Sequence, residues 1–406
     1  MSKIVVLGGC GGIGSVAVRA LASGDYFDEL VIADVRAELA QKAAATIAKS
    51  GVRGVAVDAL DARSVHATIA GADVVLNCIG PFYKFGPPVL QSAIDARVAY
   101  VDVCDDLAPT RRMLEMDAAA QAAGVSALIG MGNSPGLANV FARLCADQLL
   151  EQVDSVDIMH IHGGEPEEGP AVIKHRIHAM VNDVPLFIDG RFISVRQLDP
   201  SGAAYVLQTE FRDIGTFPVY PYPHPETITL PQHIKGLQRA TNLGVVFPLS
   251  YFHLTQDMVR VGACSDAPIR VLGQEVVPLE FSVAHILARR PQLLLAAGVS
   301  GPAGCLKVVV GGKKAGEAQT LVLSLSSKTA GAGEGTGIPA AVGAILMHRG
   351  RIPRRGVFPP EAGVQPFEVL TLASEISKKL GIAGGGSVHV EHIDASGRRT
   401  PIPLGM

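Results

Sequence analysis

The sequence predicts an α/β fold in which a doubly wound parallel sheet, covered by helices on both faces, is followed by a second, α+β domain. Three observations predict it. Short apolar runs alternate with helical patterns over the first 150 residues. A glycine-rich turn, Gly9-Cys10-Gly11-Gly12-Ile13-Gly14, directly follows the first apolar run. After residue 150 the alternation ends, and the patterns are those of antiparallel strands with a few helices.

The first element is a strand over Ile4–Leu7, whose continuous apolar run is typical of a parallel strand buried on both faces. The turn that follows has the spacing G-x-G-x-x-G. Gly9 allows the tight turn, Gly11 lets backbone amides approach a pyrophosphate, and Gly14 lets the next helix pack closely. That helix, predicted over 15–22, presents the free N–H groups of its first turn to the phosphates. The pattern predicts a Rossmann domain that binds a dinucleotide through Gly9, Gly11, Gly12, Ile13 and Gly14.

Asp34 ends the second predicted strand, over 30–33, twenty residues after Gly14 (34 − 14 = 20). An acid at this distance accepts hydrogen bonds from ribose hydroxyls, and its charge repels a 2′-phosphate, so it favours NAD. Arg36 would instead suit the 2′-phosphate of NADP if Asp34 turned away. The alternative for Arg36 is a solvated residue at the start of the next helix. We expect the cofactor to contact Asp34, Val35 and Arg36.

The alternation of strand and helix continues to residue 130. It predicts helices over 37–50, 89–96 and 110–123, and strands over 52–57, 73–79, 99–103 and 126–130. Ligands of such sheets bind outside the carboxyl ends of the strands, so the loops there should contact the cofactor. The residues concerned are Asp58 and Ala59, beside the adenine, and Cys78, Ile79, Gly80 and Phe82. Asp58 or Asp61 could equally cap the next helix.

The hinge between the domains is predicted at 131–139, where Pro135-Gly136 ends the sixth strand. An amphipathic helix over 137–150 then leaves the first domain. Beyond it the sequence predicts helices over 171–182, 339–349 and 366–380. It predicts strands over 155–161 and 205–211, a hairpin over 185–193 and an antiparallel pair over 306–310 and 320–325. A final strand is predicted over 387–393, with a turn at 394–397. The glycine-rich stretch 331–337 is either a flexible loop or a close backbone approach to the cofactor or the other domain.

Composition excludes several classes of protein. The 406 residues suffice for two domains, and 48% hydrophobic with 18% charged residues describe an ordinary globular chain. A net charge of −3 gives no reason to expect a nucleic acid or an anionic membrane as partner. The chain opens directly on a strand and has no apolar run of about eighteen residues. Its six cysteines are scattered, as in a reducing compartment, so we expect a cytoplasmic protein.

Two loops at the carboxyl ends of the fourth and fifth strands carry candidates for catalysis. The first, over 80–88, holds three prolines and carries Tyr83 as a hydrogen-bond donor. Lys84 could accept a proton if it were buried, and is otherwise a solvated lysine. The second loop carries Cys104, Asp105 and Asp106. Either acid could pair with a substrate ammonium or cap the next helix, while Cys104 could be a small buried hydrophobe.

Histidines supply the candidates for substrate binding. His162 shares a strand face with His160 and precedes two glycines at the strand end. His175, Arg176 and His178 lie on a predicted helix and could bind a carboxylate, or form a polar helix face. Their spacing matches no zinc motif, so we expect no metal. The remaining candidates lie in loops: Asn133 in the hinge, and His224 and Glu226 in a proline-spaced segment that suits a binding loop or a dimer contact.

With these motifs in view, the chain resembles the saccharopine dehydrogenase superfamily, which includes saccharopine reductases, lysine 6-dehydrogenases and carboxynorspermidine dehydrogenases. The resemblance covers residues 1 to about 370. It rests on the glycine-rich turn and on the stretches 77–82, 100–102, 132–139, 224–227, 336–340 and 356–361.

The resemblance implies a Rossmann domain over 1–136, an α+β domain over 137–335 that often mediates dimerisation, and a segment over 336–406 whose helices pack back on the first domain. It implies reversible hydride transfer at a C–N bond of an amino-acid or polyamine derivative, with NAD or NADP. We therefore expect a small-molecule substrate, no nucleic acid, no membrane and a homodimer. The alternatives are a dehydrogenase of a non-amine substrate and a dinucleotide-binding protein without turnover.

Overall fold

The first of two large sheets carries the predicted doubly wound topology. The structure is a computed structural model that describes residues 1–382, 387–394 and 396–404. Within these residues the first sheet has seven strands: β1 Lys3–Leu7, β2 Glu29–Asp34, β3 Val52–Ala56, β4 Val74–Asn77, β5 Ala99–Asp102, β6 Ser126–Leu128 and β17 Gly356–Phe358. All pairs are parallel, and the order β17-β6-β5-β4-β1-β2-β3 reverses direction beside β1. The predicted fold class is confirmed, and a ligand crevice lies where the order reverses.

The helices of the first domain connect these strands. They are α1 Gly12–Ala22, α2 Ala37–Ala45, α3 Ala62–Ile69, α4 Phe82–Asp95, α5 Leu107–Leu114 and α6 Asp117–Ala123. Two expectations were wrong. The helix expected over 110–123 is split into α5 and α6, and α4 begins at Phe82 although the prolines over 80–88 predicted a loop. Phe82 itself is buried in the core of the first sheet, which draws the segment into the helix.

The second sheet is mixed and mostly antiparallel. Its ten described strands are β7 Gln152–Gly163, β8 Asp183–Ile188, β9 Arg191–Arg196, β10 Leu207–Phe211, β11 Gly215–Pro221, β12 Arg239–Phe247, β15 Ala303–Lys314, β16 Glu317–Ser327, β18 His389–Ile393 and β19 Arg399–Pro401. A small ribbon, β13 Ile269–Val271 with β14 Gln274–Val276, stands apart. The long pair β15–β16 and the hairpin β8–β9 confirm the predicted antiparallel segments.

The remaining helices cover the second sheet or return to the first. They are α7 Leu137–Leu144, continued by a π-helical turn over Cys145–Leu149, α8 Pro170–Val181, α9 Pro200–Ala203, α10 Glu226–His233, α11 Leu249–Arg260, α12 Pro278–Ala296, α13 Ala332–His348 and α14 Pro366–Lys379. Among the described residues no helix is both long and apolar enough to cross a membrane.

The C-terminal segment is shared between the two sheets. Helix α13 packs along α1, and β17, a strand that the sequence analysis did not predict, joins the first sheet beside β6. Strand β18 instead pairs with β16, and β19 extends that pairing, so the last described residues belong to the second sheet. The expected return of the helices of 336–406 to the first domain stays a prediction, and the strands that follow them extend the second sheet. The predicted turn at 394–397 includes residue 395, which lies outside the described residues.

Candidate functional site

The opening glycines form the predicted cradle. A Cβ on Gly14 would lie 2.1 Å from the carbonyl oxygen of Gly8, and one on Gly9 would lie 2.7 Å from Cγ2 of Ile32, so both positions require glycine for packing. A Cβ on Gly12 would meet nothing within 4 Å. No side chain caps α1, whose first turn carries no acid. The half-buried Ile13 completes this turn. The loop therefore leaves open space and free amides where a diphosphate fits.

Asp34 and Arg36 form an ion pair at the end of β2. Asp34 is buried and accepts hydrogen bonds from the backbone of Cys10 (3.2 Å) and Arg36 (3.1 Å) and from Nε of Arg36 (3.0 Å). Although burial opposes ionisation, these donors hold the pKa of Asp34 below its usual range. The Arg36 side chain stays half exposed. An ionised acid and a half-exposed guanidinium thus face the same position, where an adenosine ribose would lie.

The other predicted cofactor neighbours differ in exposure. Val35, Asp58 and Gly80 are exposed, whereas Ala59, Cys78 and Ile79 are partly buried. Asp61, and not Asp58, caps α3 by accepting from the backbone of Arg63. Phe82 lies in the core of the first sheet, so the structure does not support its expected contact with the cofactor.

A buried polar chain shapes the carboxyl edge of the first sheet. Asn77 donates to the hydroxyl of Tyr100 (3.0 Å), which donates to Asp102 (2.8 Å). The other oxygen of Asp102 accepts from the backbone of Cys104 (3.0 Å) and Gly130 (2.7 Å). Burial raises the pKa of Asp102 to about 6. This chain fixes the loops after β4, β5 and β6 relative to one another, and two of those loops carry site residues.

At this edge two acids of the first domain meet a histidine of the second. Nδ1 of His175 on α8 lies 2.9 Å from Asp106, and Nε2 lies 3.5 Å from Asp105. Burial favours the neutral imidazole, yet the two carboxylates raise the pKa of His175 to about 9. Burial raises the pKa of Asp105. At neutral pH His175 is therefore a cation between two acids.

A second group of polar side chains lies beside the first. The ring of His224 stacks on that of His160 with centroids 5.0 Å apart, and its Nδ1 lies 3.3 Å from Oγ of Ser134. Ser134 donates to Glu226, and Asn242 donates to both Ser134 (2.9 Å) and Glu226 (3.2 Å). Burial holds the pKa of His224 well below its usual range and raises that of Glu226 to about 8. Both groups are thus neutral at pH 7.

Three further candidates have clear positions. The half-exposed Tyr83 ring lies 5.4 Å from the ring of His178, so both border the acids. Lys84 is exposed and lies over the ring of Phe85, which matches the solvated alternative and not a proton acceptor.

Cys104 is fully buried, and burial raises its pKa well above the usual range. Its thiol contacts Thr110, so it is the small buried hydrophobe and the catalytic expectation for it is not supported.

Three candidates form their hydrogen bonds and contacts with residues outside the acid–histidine group. Arg176 is buried, pairs through Nη2 with Glu168 (2.5 Å) and lies over the ring of Tyr251. Its Nη1 has no hydrogen-bond partner within the described chain. His162 lies 3.1 Å from Glu165, which accepts from the backbone of Ala332 at the start of α13.

Asn133 lies against the same end of α13, where a Cβ on Gly335 would approach its Cγ to 3.7 Å. His162 and Asn133 therefore border the contact between α13 and the second domain.

Potential metal ligands do gather in one place. Asp105, His175 and His224 each offer an atom within 4.8 Å of the others. Both ring nitrogens of His175 face carboxylates, and its raised pKa favours the protonated ring, which cannot bind a metal at either nitrogen. Ion pairing therefore accounts for this arrangement.

Sequence reasoning missed four members of the site. Ser134, His160, Tyr222 and Asn242 contact the candidate residues, but none was selected. Asn242 directly precedes the apolar half of β12 and is itself buried, which the sequence does not show. Gly244, two residues later, makes room for the site, because a Cβ there would lie 2.2 Å from the ring of His160.

Together these features define a dinucleotide-binding α/β protein whose second domain brings histidines to the carboxyl edge of the Rossmann sheet. Comparisons with known proteins agree. Residues 4–128 match the family model of the saccharopine dehydrogenase NADP binding domain. The chain is 25% identical to the carboxyaminopropylagmatine dehydrogenase of Synechocystis sp., over 88% of this chain and 92% of that one. It is 24% identical to the carboxynorspermidine synthase of Vibrio alginolyticus, over 86% and 90%.

The fold has a counterpart among solved structures. The saccharopine dehydrogenase (L-Glu forming) of Saccharomyces cerevisiae matches with a TM-score of 0.69 at 16% identity, over 97% of this chain and 100% of that one. The family model and the curated relatives confirm the resemblance to the saccharopine dehydrogenase superfamily, and the solved structure shows the shared fold. Binding of NAD(P) and the relationship to dehydrogenases are confirmed with it.

Proposed function

We propose that the protein is an NAD(P)-dependent oxidoreductase that transfers a hydride at a C–N bond of an amino-acid or polyamine derivative. The observation that carries this proposal is the pairing of Asp105 and Asp106 with protonated His175 at the carboxyl edge of the Rossmann sheet. Two acids and one cation leave a net negative charge there, which suits a substrate ammonium. The names of the relatives, dehydrogenases and synthases of carboxylated polyamines, support the same class.

Different residues of the site bind different charged groups of such a substrate. Asp105 faces the ammonium, since its partner His175 is already bonded to Asp106 at the shorter distance. Nη1 of Arg176, buried without a partner in the described residues, could take a substrate carboxylate. When bound, the nicotinamide supplies or accepts the hydride. The protein then has to position the amine and handle its proton.

The same residues argue against the non-amine alternative. A dehydrogenase of a lipid-like or hydroxyl substrate would favour an apolar pocket, whereas this site is built from acids and histidines. A protein that binds the cofactor without turnover is distinguished by assay.

The direct test is a spectrophotometric screen that measures formation of the reduced cofactor. It tests NAD and NADP with lysine, saccharopine and polyamine derivatives. We expect turnover with at least one amine, and Asp105→Asn should raise its KM about tenfold because the ammonium loses its carboxylate. Asp95→Asn, an exposed acid at the end of α4, is the matched control and should leave KM unchanged. Tight cofactor binding without turnover of any amine would overturn the proposal.

The domain roles, the location and the oligomeric state of the protein can also be proposed. We propose that 1–136 binds the cofactor, that 137–335 contributes the substrate site, and that α13 and α14 return to the first domain. We propose a cytoplasmic location, supported by six free cysteines, each in the described residues. We also propose a homodimer, because the β13–β14 ribbon and α12 expose the large apolar side chains of Leu272, Phe281 and Leu295.

A further inference from the structure

A hydrogen-bonded chain leads from the edge of the site to a carboxyl group in the interior. It starts at His224, one ring nitrogen of which lies within 4.8 Å of a carboxylate oxygen of Asp105 and of a ring nitrogen of His175. It continues through Oγ of Ser134 to Oε1 of Glu226. Glu226 is 0% exposed, and its other oxygen, Oε2, has no hydrogen-bond partner in the described part of the chain.

The neighbouring groups determine where the protons of this chain lie. Oγ of Ser134 donates its one proton to Glu226 and accepts from the amide of Asn242. It can therefore only accept from His224, so the proton of the neutral ring must sit on Nδ1. Nε2 of His224 then carries the lone pair of the neutral ring, and no side chain of the described residues hydrogen-bonds to it. The ring that faces the acids thus has an available acceptor, backed by a serine and a carboxyl group.

We propose that His224 accepts the ammonium proton of the amine substrate and that Ser134 passes this charge on to Glu226, which stores the proton in the interior. The proposal rests on the proposed function. His224 would be a catalytic residue, whereas Ser134 and Glu226 act through it and are positioning residues.

The step balances as follows. The step starts from ionised Glu226, the form that predominates above pH 8. A secondary ammonium gives one N–H proton to Nε2 of His224, the Nδ1 proton of that ring passes to Oγ of Ser134, and the Ser134 proton passes to the Glu226 carboxylate. The neutral amine then forms the C=N bond with its lone pair as the hydride leaves the adjacent carbon for the oxidised nicotinamide. The products are a protonated imine, reduced cofactor and a neutral Glu226 acid. Imine reduction runs through the same steps in reverse.

The surroundings of Glu226 suit a proton store. Burial is the main cause that raises its pKa to about 8, and Glu361 and Asp105 add to it while Ser134 opposes it. The neutral histidines His224 and His160 face it across Ser134 and Asn242. Near neutral pH the carboxyl group can therefore both take up and release a proton, as a relay requires.

The first test is the pH profile of amine oxidation in Glu226→Gln, which keeps the shape but cannot store a proton. We expect kcat to fall about 100-fold and its rise with pH near 8 to disappear, with KM changed little. Glu361→Gln is the control: Glu361 is also buried but bonds to Asn139, so its loss should lower the pH at which kcat rises and leave the rise itself in place. A wild-type pH profile and kcat in Glu226→Gln would overturn the relay while leaving the proposed function intact.

The second test needs no turnover. After a rapid drop from pH 9 to pH 7, infrared spectroscopy follows the protonation of the buried carboxyl group whose band is absent in Glu226→Gln. Ser134→Ala should slow this protonation at least tenfold, because the proton then loses its path; a merely structural serine would shift the midpoint without slowing the approach. An unchanged rate would overturn the relay. If no amine is oxidised, the proposed function fails and this rate still decides whether the path exists.

Discussion

At the scale of single residues, the site depends on charges that stabilise one another inside the protein. His175 is ionised because two carboxylates face its ring, and Asp106 keeps a low pKa in return. Burial opposes the charge on each of them. Neither partner would hold its charge at this depth alone, so each contributes to stability through the other.

The His175 pair predicts a dependence of stability on pH. Its pKa rises from about 6.5 in the unfolded chain to about 9 in the folded one. The stabilisation is therefore complete below pH 6.5 and is lost as the pH rises through 9. His175→Asn should cost about 1–3 kcal/mol at pH 6 and much less at pH 10, measured by urea unfolding. A difference between wild type and variant that does not change over this range would contradict the assignment.

Arg36 predicts which cofactor is preferred. Its guanidinium is half exposed and, among the described residues, pairs with Asp34, so that a rotation of the side chain would bring it to a 2′-phosphate. Arg36→Ala should weaken NADP binding about tenfold relative to NAD, measured by calorimetry with both cofactors. Arg63→Ala, an exposed arginine on α3, provides the control. An unchanged ratio of the two dissociation constants would show that Arg36 takes no part in the choice.

The sequence allowed the tight glycine-rich turn and the position of Asp34 to be predicted, whereas the contacts of the proposed substrate site are not visible in it. Gly9, Gly14 and Asp34 act locally, so their spacing carries the information. Ser134 and Asn242 lie 108 positions apart, and no sequence pattern predicts the hydrogen bond between them. Single residues such as Cys104 were ambiguous for the same reason: whether a side chain is buried depends on elements far away in the chain.

At the scale of elements, α13 packs against α1 and so holds in place the glycine-rich turn at which α1 begins. The stretch 331–337, expected as a loop or a close approach, lies almost wholly in α13. A Cβ on Gly337 would come within 2.8 Å of the carbonyl oxygen of Ile13 and 3.0 Å of the backbone nitrogen of Ala17. The close approach is therefore real, and its partner is the helix that follows the glycine-rich turn.

Gly337 provides the prediction at this scale. Gly337→Ala should destabilise the protein by about 1–3 kcal/mol, because the methyl group meets backbone that cannot move aside. It should also weaken cofactor binding, since α1 must shift. Gly333→Ala on the same helix is the control: its methyl group would meet atoms only at 3.5 Å, and helix propensity favours alanine. Equal effects of both substitutions in thermal unfolding and cofactor titration would contradict this account.

At the scale of the whole molecule, residues from both sheets form the site, and the C-terminal segment contacts both sheets. The first sheet supplies Asp105, Asp106 and Ser134, and the second supplies the histidines. Helices α13 and α14 connect back to the first sheet, while β18 and β19 close on the second. Such interleaving could not be predicted, because the final strands carry no signal of which sheet edge they join.

The proposed dimer provides the prediction at this scale. Phe281 and Leu295 are fourteen residues apart on α12, about four helical turns, and both are exposed. We expect a dimer in analytical ultracentrifugation, and the double substitution Phe281→Asp and Leu295→Asp should give monomers. A control pair on another surface, Val35→Asp and Leu60→Asp, should leave the dimer intact. A wild-type monomer at micromolar concentration would contradict the proposal.

In the proposed reaction, hydride moves between a nicotinamide and a carbon bonded to nitrogen. The most direct measurement uses NADH and NADPH deuterated at the transferable position, incubated with the protein and the imine of the best amine from the screen. Mass spectrometry of the product should show one deuterium on the carbon next to nitrogen. Product without deuterium at that carbon, or deuterium at a carbon bonded to oxygen, would contradict the account.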